Sequence, residues 1–184
     1  MDLRIVKTKK AIINAFLALR AKRPLEKITV KELCEMAMVN KSTFYSHYGD
    51  IYELSDTLEN EVVLSVIQSM DHSEYICENT GEFTRQLVLG YLSQDHLIQI
   101  LFSDSRSSLF VSKIEQCIKK MIAENYPQYH LDPVRNMVLT YTIYGGYYAY
   151  MGSRSYDRDQ ILSTLVSLTQ NTGQWFLAME KSLS

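Results

Sequence analysis

The sequence is poor in the residues that interrupt regular structure: its 184 residues include three prolines and seven glycines. This scarcity excludes collagen-like and low-complexity chains, and it disfavours the turn-rich pattern of an all-β protein. The three cysteines (Cys34, Cys77 and Cys117) are widely separated, so they form neither a disulfide framework nor a CxxC pair. The first residues lack the apolar stretch and cleavage site of a secretory signal. We therefore expect a protein of the reducing cytoplasm.

Motifs of known catalytic chemistry are also missing. The sequence contains no GxSxG, HExxH, Walker or GxGxxG motif. Its four histidines, at positions 47, 72, 96 and 130, are not spaced as metal ligands. His72 and Cys77 would share a metal only through a coincidence of folding. We predict that the protein is not an enzyme and that it needs no metal or other cofactor.

Positive charge is concentrated at the beginning of the chain. Residues 1–50 hold ten basic and five acidic side chains, whereas residues 51–184 hold nine basic and sixteen acidic ones. The formal net charge of −2 therefore divides into +5 and −7. A basic segment attached to an acidic remainder indicates an anionic partner for the first segment, although charge alone also permits chance scatter.

Two long runs contain no charged residue: 136–153, of 18 residues, and 160–179, of 20 residues. Both are long enough to cross a bilayer of about 30 Å. However, the first contains five tyrosines and three glycines, and the second is rich in Gln, Asn, Ser and Thr. Neither run is predominantly apolar, so we predict that neither spans a membrane.

Hydrophobic residues recur with a helical period along nearly the whole chain. Ile12, Phe16 and Leu19 form one such stripe, and Lys10 and Arg20 lie off it. Capping residues recur at the starts of these patterns: Thr29 with Glu32, Asp50 with Glu53, Asn79 with Glu82, Asp157 with Gln160, and Asp132 before Pro133. The predicted fold is all-α with about nine helices, over residues 7–22, 30–36, 40–47, 51–70, 82–93, 95–103, 107–125, 133–151 and 158–181.

The second and third predicted helices are very short and only about three residues apart. Helices of this length are not stable alone in water, so each must pack on its neighbours. A short helix, a tight turn and another short helix, packed on a longer one, is the helix-turn-helix arrangement. Leu33, Ala37, Val39 and Phe44 would form its shared core.

The run ITVKELCEMAMVNKSTFYSHYGDIYELSD resembles the DNA-binding segment of TetR-type transcriptional regulators. The resemblance extends over about residues 7–58, and the remainder resembles the family only in length and all-helical pattern. The end of the chain, with its Tyr- and Gly-rich helix, is broadly similar to a subgroup common in Gram-positive bacteria. Two positions depart from the family pattern: Met38 stands where the turn usually has glycine, and Ile51 stands where a phosphate-binding lysine is common. The resemblance implies a DNA-binding domain over residues 1–50, a regulatory and dimerisation domain over residues 51–184, and a bacterial cytoplasmic repressor released from its operator by a small ligand.

The third predicted helix is polar on the side that faces away from Phe44 and Tyr48, as a helix that enters the major groove must be. We assign Lys41, Ser42 and Tyr45 to contacts with bases or beside them, and Thr43 and His47 to phosphates, with a phosphate contact as the alternative role of Tyr45. Lys31 matches a position that often reaches DNA in the family. The predicted DNA-binding residues are Lys31, Lys41, Ser42, Thr43, Tyr45, Ser46 and His47.

The two charge-free runs predict a homodimer, because aromatic, Met-rich and charge-depleted helices are typical of interface cores. The predicted interface residues are Gly145, Gly146, Tyr147, Leu165, Leu168 and Trp175. A small hydrophobic or aromatic effector would require a cavity, for which the candidate lining is Phe102, Met121, Met137, Tyr141, Tyr144 and Tyr148. Burial of both helices within one subunit is the alternative to the dimer, and a core or interface role is the alternative to the cavity.

Two other functions remain compatible with the sequence. One is a ligand-independent transcriptional activator. The other is an all-α adaptor whose acidic part binds a protein while its basic end holds nucleic acid. A regulator would protect a short palindrome of double-stranded DNA, whereas an adaptor would bind diffusely and with strong salt dependence.

Overall fold

The computed structural model describes residues 3–70, 79–103, 106–125 and 132–183. Within these ranges every regular element is helical, which confirms the all-α prediction, and there are nine α-helices. They are α1 (Leu3–Arg20), α2 (Val30–Ala37), α3 (Lys41–Tyr45), α4 (Ile51–Gln68), α5 (Thr80–Ser93), α6 (Asp95–Leu101), α7 (Ser107–Asn125), α8 (Pro133–Gly152) and α9 (Arg158–Leu183). A short 3-10 turn, Leu25–Lys27, precedes α2 and was not predicted.

The predicted helix caps are confirmed. The side chains of Thr29, Asp50, Asn79 and Asp157 each accept the backbone N–H three residues ahead, at 2.7 to 3.3 Å. Asp132 accepts the N–H groups of the second and third residues ahead, at 2.8 and 2.9 Å, just before the proline that begins α8. These local bonds satisfy N–H groups that have no partner within the helix, which is why the sequence located the starts so closely.

In two of the predicted capping boxes, the glutamate carboxylate binds a donor other than the backbone N–H of the capping residue. The carboxylate of Glu32 is held by Arg23 at 2.6 and 3.1 Å. The carboxylate of Glu53 accepts the N–H of Gly49 at 2.7 Å, which is one residue before the cap. In both cases a donor outside the capping box reaches the carboxylate.

One compact unit comprises Met1–Val62 and Asp95–Phe110, so it includes α1 to α3, most of α4, and α6. The predicted α1 stripe is buried here, as are Leu33, Phe44 and Leu54. Ala37 and Val39, predicted for the same core, are half-buried. The unit continues past residue 50, where we placed the functional boundary on the resemblance; that division of function remains a prediction.

The same unit contains a buried charged network. Glu59 is fully buried and accepts bonds from both sides of the Arg106 guanidinium at 2.9 Å, while Ser55 donates to it at 2.8 Å. Arg20, which the pattern placed off the buried stripe, is also buried and donates to the carbonyls of Arg23 and Ser103. These bonds from the two terminal nitrogens offset part of the cost of burying a charged side chain.

The second compact unit comprises Val63–Gln94 and Val111–Ser184. Its best-packed pair of helices is α5 and α9, which approach closely at two glycines. A Cβ added to Gly173 would lie 2.6 Å from the Thr80 hydroxyl oxygen, and one added to Gly81 would lie 3.2 Å from the Val166 carbonyl. Thr80 also donates to the carbonyl of Thr169 at 3.0 Å, which fixes the register of the two helices.

Helices α7 and α8 are linked by polar side chains. Lys119 pairs with Glu115 at 2.7 Å and donates to the Thr140 hydroxyl at 3.2 Å, and Thr140 donates to Glu115. The bonds from Lys119, Thr140 and Tyr144 lower the pKa of Glu115 below its ordinary value. This part of the fold is therefore more stable with Glu115 ionised, and the stabilisation is lost as the pH falls through the lowered pKa.

No helix in the described ranges is both long enough and apolar enough to cross a membrane. This agrees with the prediction for the two charge-free runs, which form most of α8 and α9.

Candidate nucleic-acid interface and an exposed apolar face

Helix α3 is positioned by one aromatic side chain. Phe44 is fully buried, and its ring lies 5.5 Å from Tyr45 and 6.0 Å from Tyr48 between centroids. Tyr48 is buried as predicted, and burial together with the charges of Glu61 and Glu53 raises its pKa. Phe44 thus anchors one side of a five-residue helix, which leaves the other side for solvent.

The turn between α2 and α3 is tight because Met38 adopts a left-handed conformation, with φ 53° and ψ 41°. The N–H of Val39 bonds to the Cys34 carbonyl at 3.0 Å, and the N–H of Met38 bonds to Glu35 at 3.3 Å. This pattern is a Schellman motif, in which glycine is usual. Met38 is tolerated there because its side chain points into solvent, with 93% of it exposed. The departure from the family pattern at this position therefore adds backbone strain and leaves the turn geometry intact.

The outward side of α3 is polar. Asn40 caps the helix by accepting the Thr43 N–H at 2.7 Å, and Ser46 donates its hydroxyl to the Thr43 carbonyl at 2.7 Å. Lys41, Ser42 and Tyr45 are exposed, and none of their side chains forms a hydrogen bond or ion pair with a described residue. Helix α3 therefore exposes these three side chains together on its solvent-facing side.

The remaining predicted contacts lie around this helix. Lys31 is exposed in the first turn of α2, and Ser46 is exposed at the end of α3. Thr43 and His47 are half-buried, and the His47 ring lies 6.3 Å from that of Tyr48. Thus the chain places the whole predicted set on or beside α2 and α3, with Thr43 and His47 less accessible than the others.

Lysines of the two units differ in their partners. In α7, Lys119 and Lys120 pair with the glutamates Glu115 and Glu124. In contrast, six lysines near the start of the chain make no ion pair with any described residue: Lys7, Lys10, Lys22, Lys27, Lys31 and Lys41. Uncompensated lysines create a positive potential that attracts an anionic polymer.

Two residues of this region were missed by sequence reasoning. Arg23 holds Glu32 in a two-pronged ion pair, which fixes the first turn of α2 beside Lys31 and neutralises a carboxylate there. Tyr52 is exposed in the first turn of α4, next to the end of α3. Tyr52 could have been found in the sequence, because it is an aromatic residue that lies off the apolar stripe of Ile51 and Leu54. No sequence pattern marked Arg23 in a comparable way.

The beginning of α4 does not favour an anion. Ile51, one of the two positions that depart from the TetR-type pattern, is buried. Asp50 caps the helix and Glu53 lies in its first turn, so two carboxylates surround the N–H groups there. Their negative charge opposes a phosphate at this position.

A different surface occurs on α8, where no side chain is buried. Its exposed apolar residues are Val134, Met137, Tyr141 and Tyr148, which are three, four and seven residues apart. On α9, Leu168 and Trp175 are exposed and seven residues apart. Together, Met137, Val138, Tyr141, Leu168, Asn171, Thr172 and Trp175 line an open groove of about 550 Å³.

The groove combines two predicted sets. Met137 and Tyr141, predicted for a ligand cavity, line it together with Leu168 and Trp175, predicted for the dimer interface. Gly145 and Gly146 lie further along α8, and a Cβ on either would meet nothing within 4 Å. We call this surface, consisting of Val134, Met137, Tyr141, Gly145, Tyr148, Leu168 and Trp175, the apolar face.

Other residues of those sets lie elsewhere. Phe102 is buried in the first unit, with its ring 5.2 Å from Phe110. Leu165 is buried within the chain, so its side chain is not available on the surface. Met121 and Tyr144 are half-buried, on α7 and α8. Tyr147 is half-buried and touches Tyr148, and burial raises its pKa.

Among the described residues, no group of three or more His, Cys, Asp or Glu side chains is arranged to hold a metal. His72 and Cys77, weighed above as chance ligands, lie outside the described residues.

The chain matches no family model, and it matches none of the curated proteins with which it was compared.

Proposed function

We propose that the protein is a sequence-specific DNA-binding transcriptional regulator of the TetR type that acts as a homodimer. The observation that carries the proposal is α3, whose buried Phe44 turns Lys41, Ser42 and Tyr45 outward together on a short helix capped by Asn40. A helix of this kind, following a tight turn, has the size and polarity for the major groove.

Electrostatics support a nucleic acid as the partner. Lys31 and Lys41 lie on the same helix-turn-helix as the exposed face, and no acidic side chain of the described chain pairs with them. Phosphates would supply the missing counter-charges, and α3 would read the bases between them.

The apolar face supports self-association. A helix without a fully buried residue has gained only part of the apolar contacts that ordinarily stabilise a helix, and α8 spans 20 residues in that condition. Spacings of three, four and seven residues place its apolar side chains along one seam, as in helices that pack side by side. We assign this seam to a second copy of the chain, because a two-fold interface uses the same surface on both subunits.

A dimer also suits the recognition element. Helix α3 has only five residues and reads few base pairs, so one copy gives little discrimination in a genome. Two copies on a two-fold operator, with half-sites about one DNA turn or somewhat more apart, double the sequence that is read. Repression by occlusion of a promoter is the default outcome for such a protein; activation is the alternative outcome.

Response to a small hydrophobic or aromatic effector remains a prediction from the resemblance. Of the six described candidates, Met137, Tyr141 and Tyr148 lie on the apolar face, Met121 and Tyr144 are half-buried on α7 and α8, and Phe102 is buried in the first unit. Thermal-shift measurements with hydrophobic metabolites and drugs test it, and a raised Tm that scales with ligand concentration is the expected sign.

The experiment that tests DNA reading compares two exposed lysines of the first unit. Lys41→Ala should weaken operator binding and alter its sequence preference, whereas Lys10→Ala should weaken binding uniformly across sequences. Gel-shift titrations at a series of fixed salt concentrations measure both effects. Equal and negligible losses in the two variants would contradict the assignment of α3 to DNA.

A further inference from the structure

The polar side chains on α3 differ in whether the chain already uses them. The Asn40 side chain is occupied as the helix cap, and the Ser46 hydroxyl proton is donated to Thr43. Lys41, Ser42 and Tyr45 are exposed, and none of their side chains forms a hydrogen bond with a described residue. The Ser42 hydroxyl can both donate and accept, so it distinguishes the bases poorly. Specific readout therefore falls chiefly on Lys41 and Tyr45, and their chemistry limits the bases that they can select.

Lys41 is the first residue of α3, and its ammonium group can only donate hydrogen bonds. In the major groove, guanine presents two neighbouring acceptors, O6 and N7. Adenine and cytosine each present an amino donor that opposes a lysine, and thymine presents a single acceptor next to its methyl group. Guanine is thus the base edge that best satisfies Lys41.

Tyr45 follows four residues later, so it lies on the same side of the helix as Lys41. Its ring packs nearly perpendicular to that of Phe44, at 79°, and 55% of the side chain is exposed. Because Phe44 supports one edge of the ring, the outward part is a rigid, largely apolar surface. The apolar feature in the major groove is the C5 methyl group of thymine.

The spacing of the two side chains fixes the spacing of the two bases. Four residues at about 1.5 Å of rise separate them by about 6 Å along the helix. Base pairs are stacked about 3.4 Å apart, so a helix that lies along the groove covers at most about two base steps over this distance. We infer that each half-site contains a guanine read by Lys41 and, about two base pairs away, a thymine whose methyl group is read by Tyr45. This inference rests on the proposed function.

Base analogues test the inference group by group. An operator is first selected from random double-stranded DNA with the full chain, and single bases are then replaced. The analogue 7-deazaguanine removes N7 from guanine, and deoxyuridine in place of thymidine removes only the methyl group. Fluorescence anisotropy at one salt concentration gives the dissociation constant of each protein–DNA pair.

For the unmodified protein, 7-deazaguanine at the Lys41 position should weaken binding by about fivefold or more. Loss of the thymine methyl should weaken it by about fourfold. Lys41→Met should abolish the penalty of 7-deazaguanine and keep the penalty of the lost methyl group. Tyr45→Ala should abolish the penalty of the lost methyl group and keep the penalty of 7-deazaguanine. Tyr45→Phe should keep both penalties, because the ring and not the hydroxyl makes the contact.

Lys10→Met is the matched control, since Lys10 is also exposed and makes no ion pair with a described residue. It should keep both penalties while binding all sequences more weakly. Penalties of the same size in Lys41→Met, Tyr45→Ala and the unmodified protein would overturn the inference. If the unmodified protein selects no sequence at all, the proposed function itself fails. Circular dichroism confirms that each variant is folded.

Discussion

Helices α3 and α8 differ in which side chains they bury and which they expose. Helix α3 has five residues, buries Phe44 completely and turns lysine, serine and tyrosine outward. Helix α8 has 20 residues, buries none of them and exposes Met137 and Tyr141, the latter by 72%. A polar exterior on a small helix suits a hydrated, charged partner. An apolar exterior on a long helix suits another protein surface.

The two compact units also differ in whether their exposed surface is charged or apolar. In the first unit, the buried Glu59 is paired with Arg106, while Lys31 and Lys41 form no ion pair with a described residue. In the second unit, Lys119 and Lys120 are paired, and the open groove between α8 and α9 is lined mainly by apolar side chains. The difference indicates two kinds of partner for one chain, and the predictions below test each side of it.

The largest effect is expected in the buried network of the first unit. Arg106→Met leaves the fully buried Glu59 without its main counter-charge and should lower the free energy of unfolding by about 3–5 kcal/mol. Urea unfolding followed by circular dichroism measures the loss. Lys120→Met is the control, because its pair with Glu124 is exposed and should contribute less than about 1 kcal/mol. Equal losses in the two variants would show that Glu59 is not held as described.

A smaller effect is expected from removing the aromatic side chain on the apolar face. Trp175→Ala should weaken the dimer by about 2 kcal/mol, which is roughly a 30-fold rise in the dimer dissociation constant. Analytical ultracentrifugation over a range of concentrations measures it. Leu89→Ala, at an exposed leucine of α5, should leave the constant unchanged. A dimer that is insensitive to Trp175 would assign the interface to another surface.

The next effect contrasts two glycines. Gly145→Ala adds a methyl group that meets nothing within its own chain, so in a monomer it should favour the helix by about 1 kcal/mol. If the partner's helix approaches closely there, the same methyl group should raise the dimer dissociation constant about fivefold or more.

Gly173→Ala should behave differently, because its methyl group would lie 2.6 Å from the Thr80 hydroxyl oxygen and should destabilise the chain itself. Sedimentation and thermal unfolding separate the two effects. Unchanged association with a raised Tm in Gly145→Ala would place this part of α8 outside the interface.

The smallest effect concerns the turn that presents α3. Met38→Gly relieves a left-handed residue and should stabilise the chain by about 0.5–1 kcal/mol, with base preference unchanged. Met36→Gly, in the last turn of α2, should instead destabilise it by about 0.5–1 kcal/mol. Differential scanning calorimetry measures both changes. A destabilised Met38→Gly would mean that the methionine side chain stabilises the turn by contacts of its own.

Local features of the fold were predictable from the sequence. The starts of α2, α4 and α8 were correctly placed because Thr29, Asp50 and Asp132 bond to backbone groups two or three residues away. The exposure of Tyr45 and the burial of Tyr48 followed from helical period around Phe44. Such features depend on a few neighbouring residues, so a single sequence contains them.

Features that depend on distant partners were not predictable. Arg20 is buried because its guanidinium reaches the carbonyl of Ser103, 83 residues away. Phe102 and Leu165 are likewise buried in ways that a stripe of apolar residues does not specify. For α8 the sequence left exposure and burial as two alternatives, because an apolar pattern does not say whether the same chain or a second one supplies the contacts.

The central claim is that two copies of this chain read one two-fold DNA site, with α3 at the bases and the apolar face between the copies. Selection from random double-stranded DNA, followed by measurement of the mass of the complex, tests it most directly. The account predicts enrichment of a short inverted repeat bound by two chains, with half-sites about one DNA turn or somewhat more apart. Binding that enriches no sequence and disappears uniformly as salt is raised would contradict it.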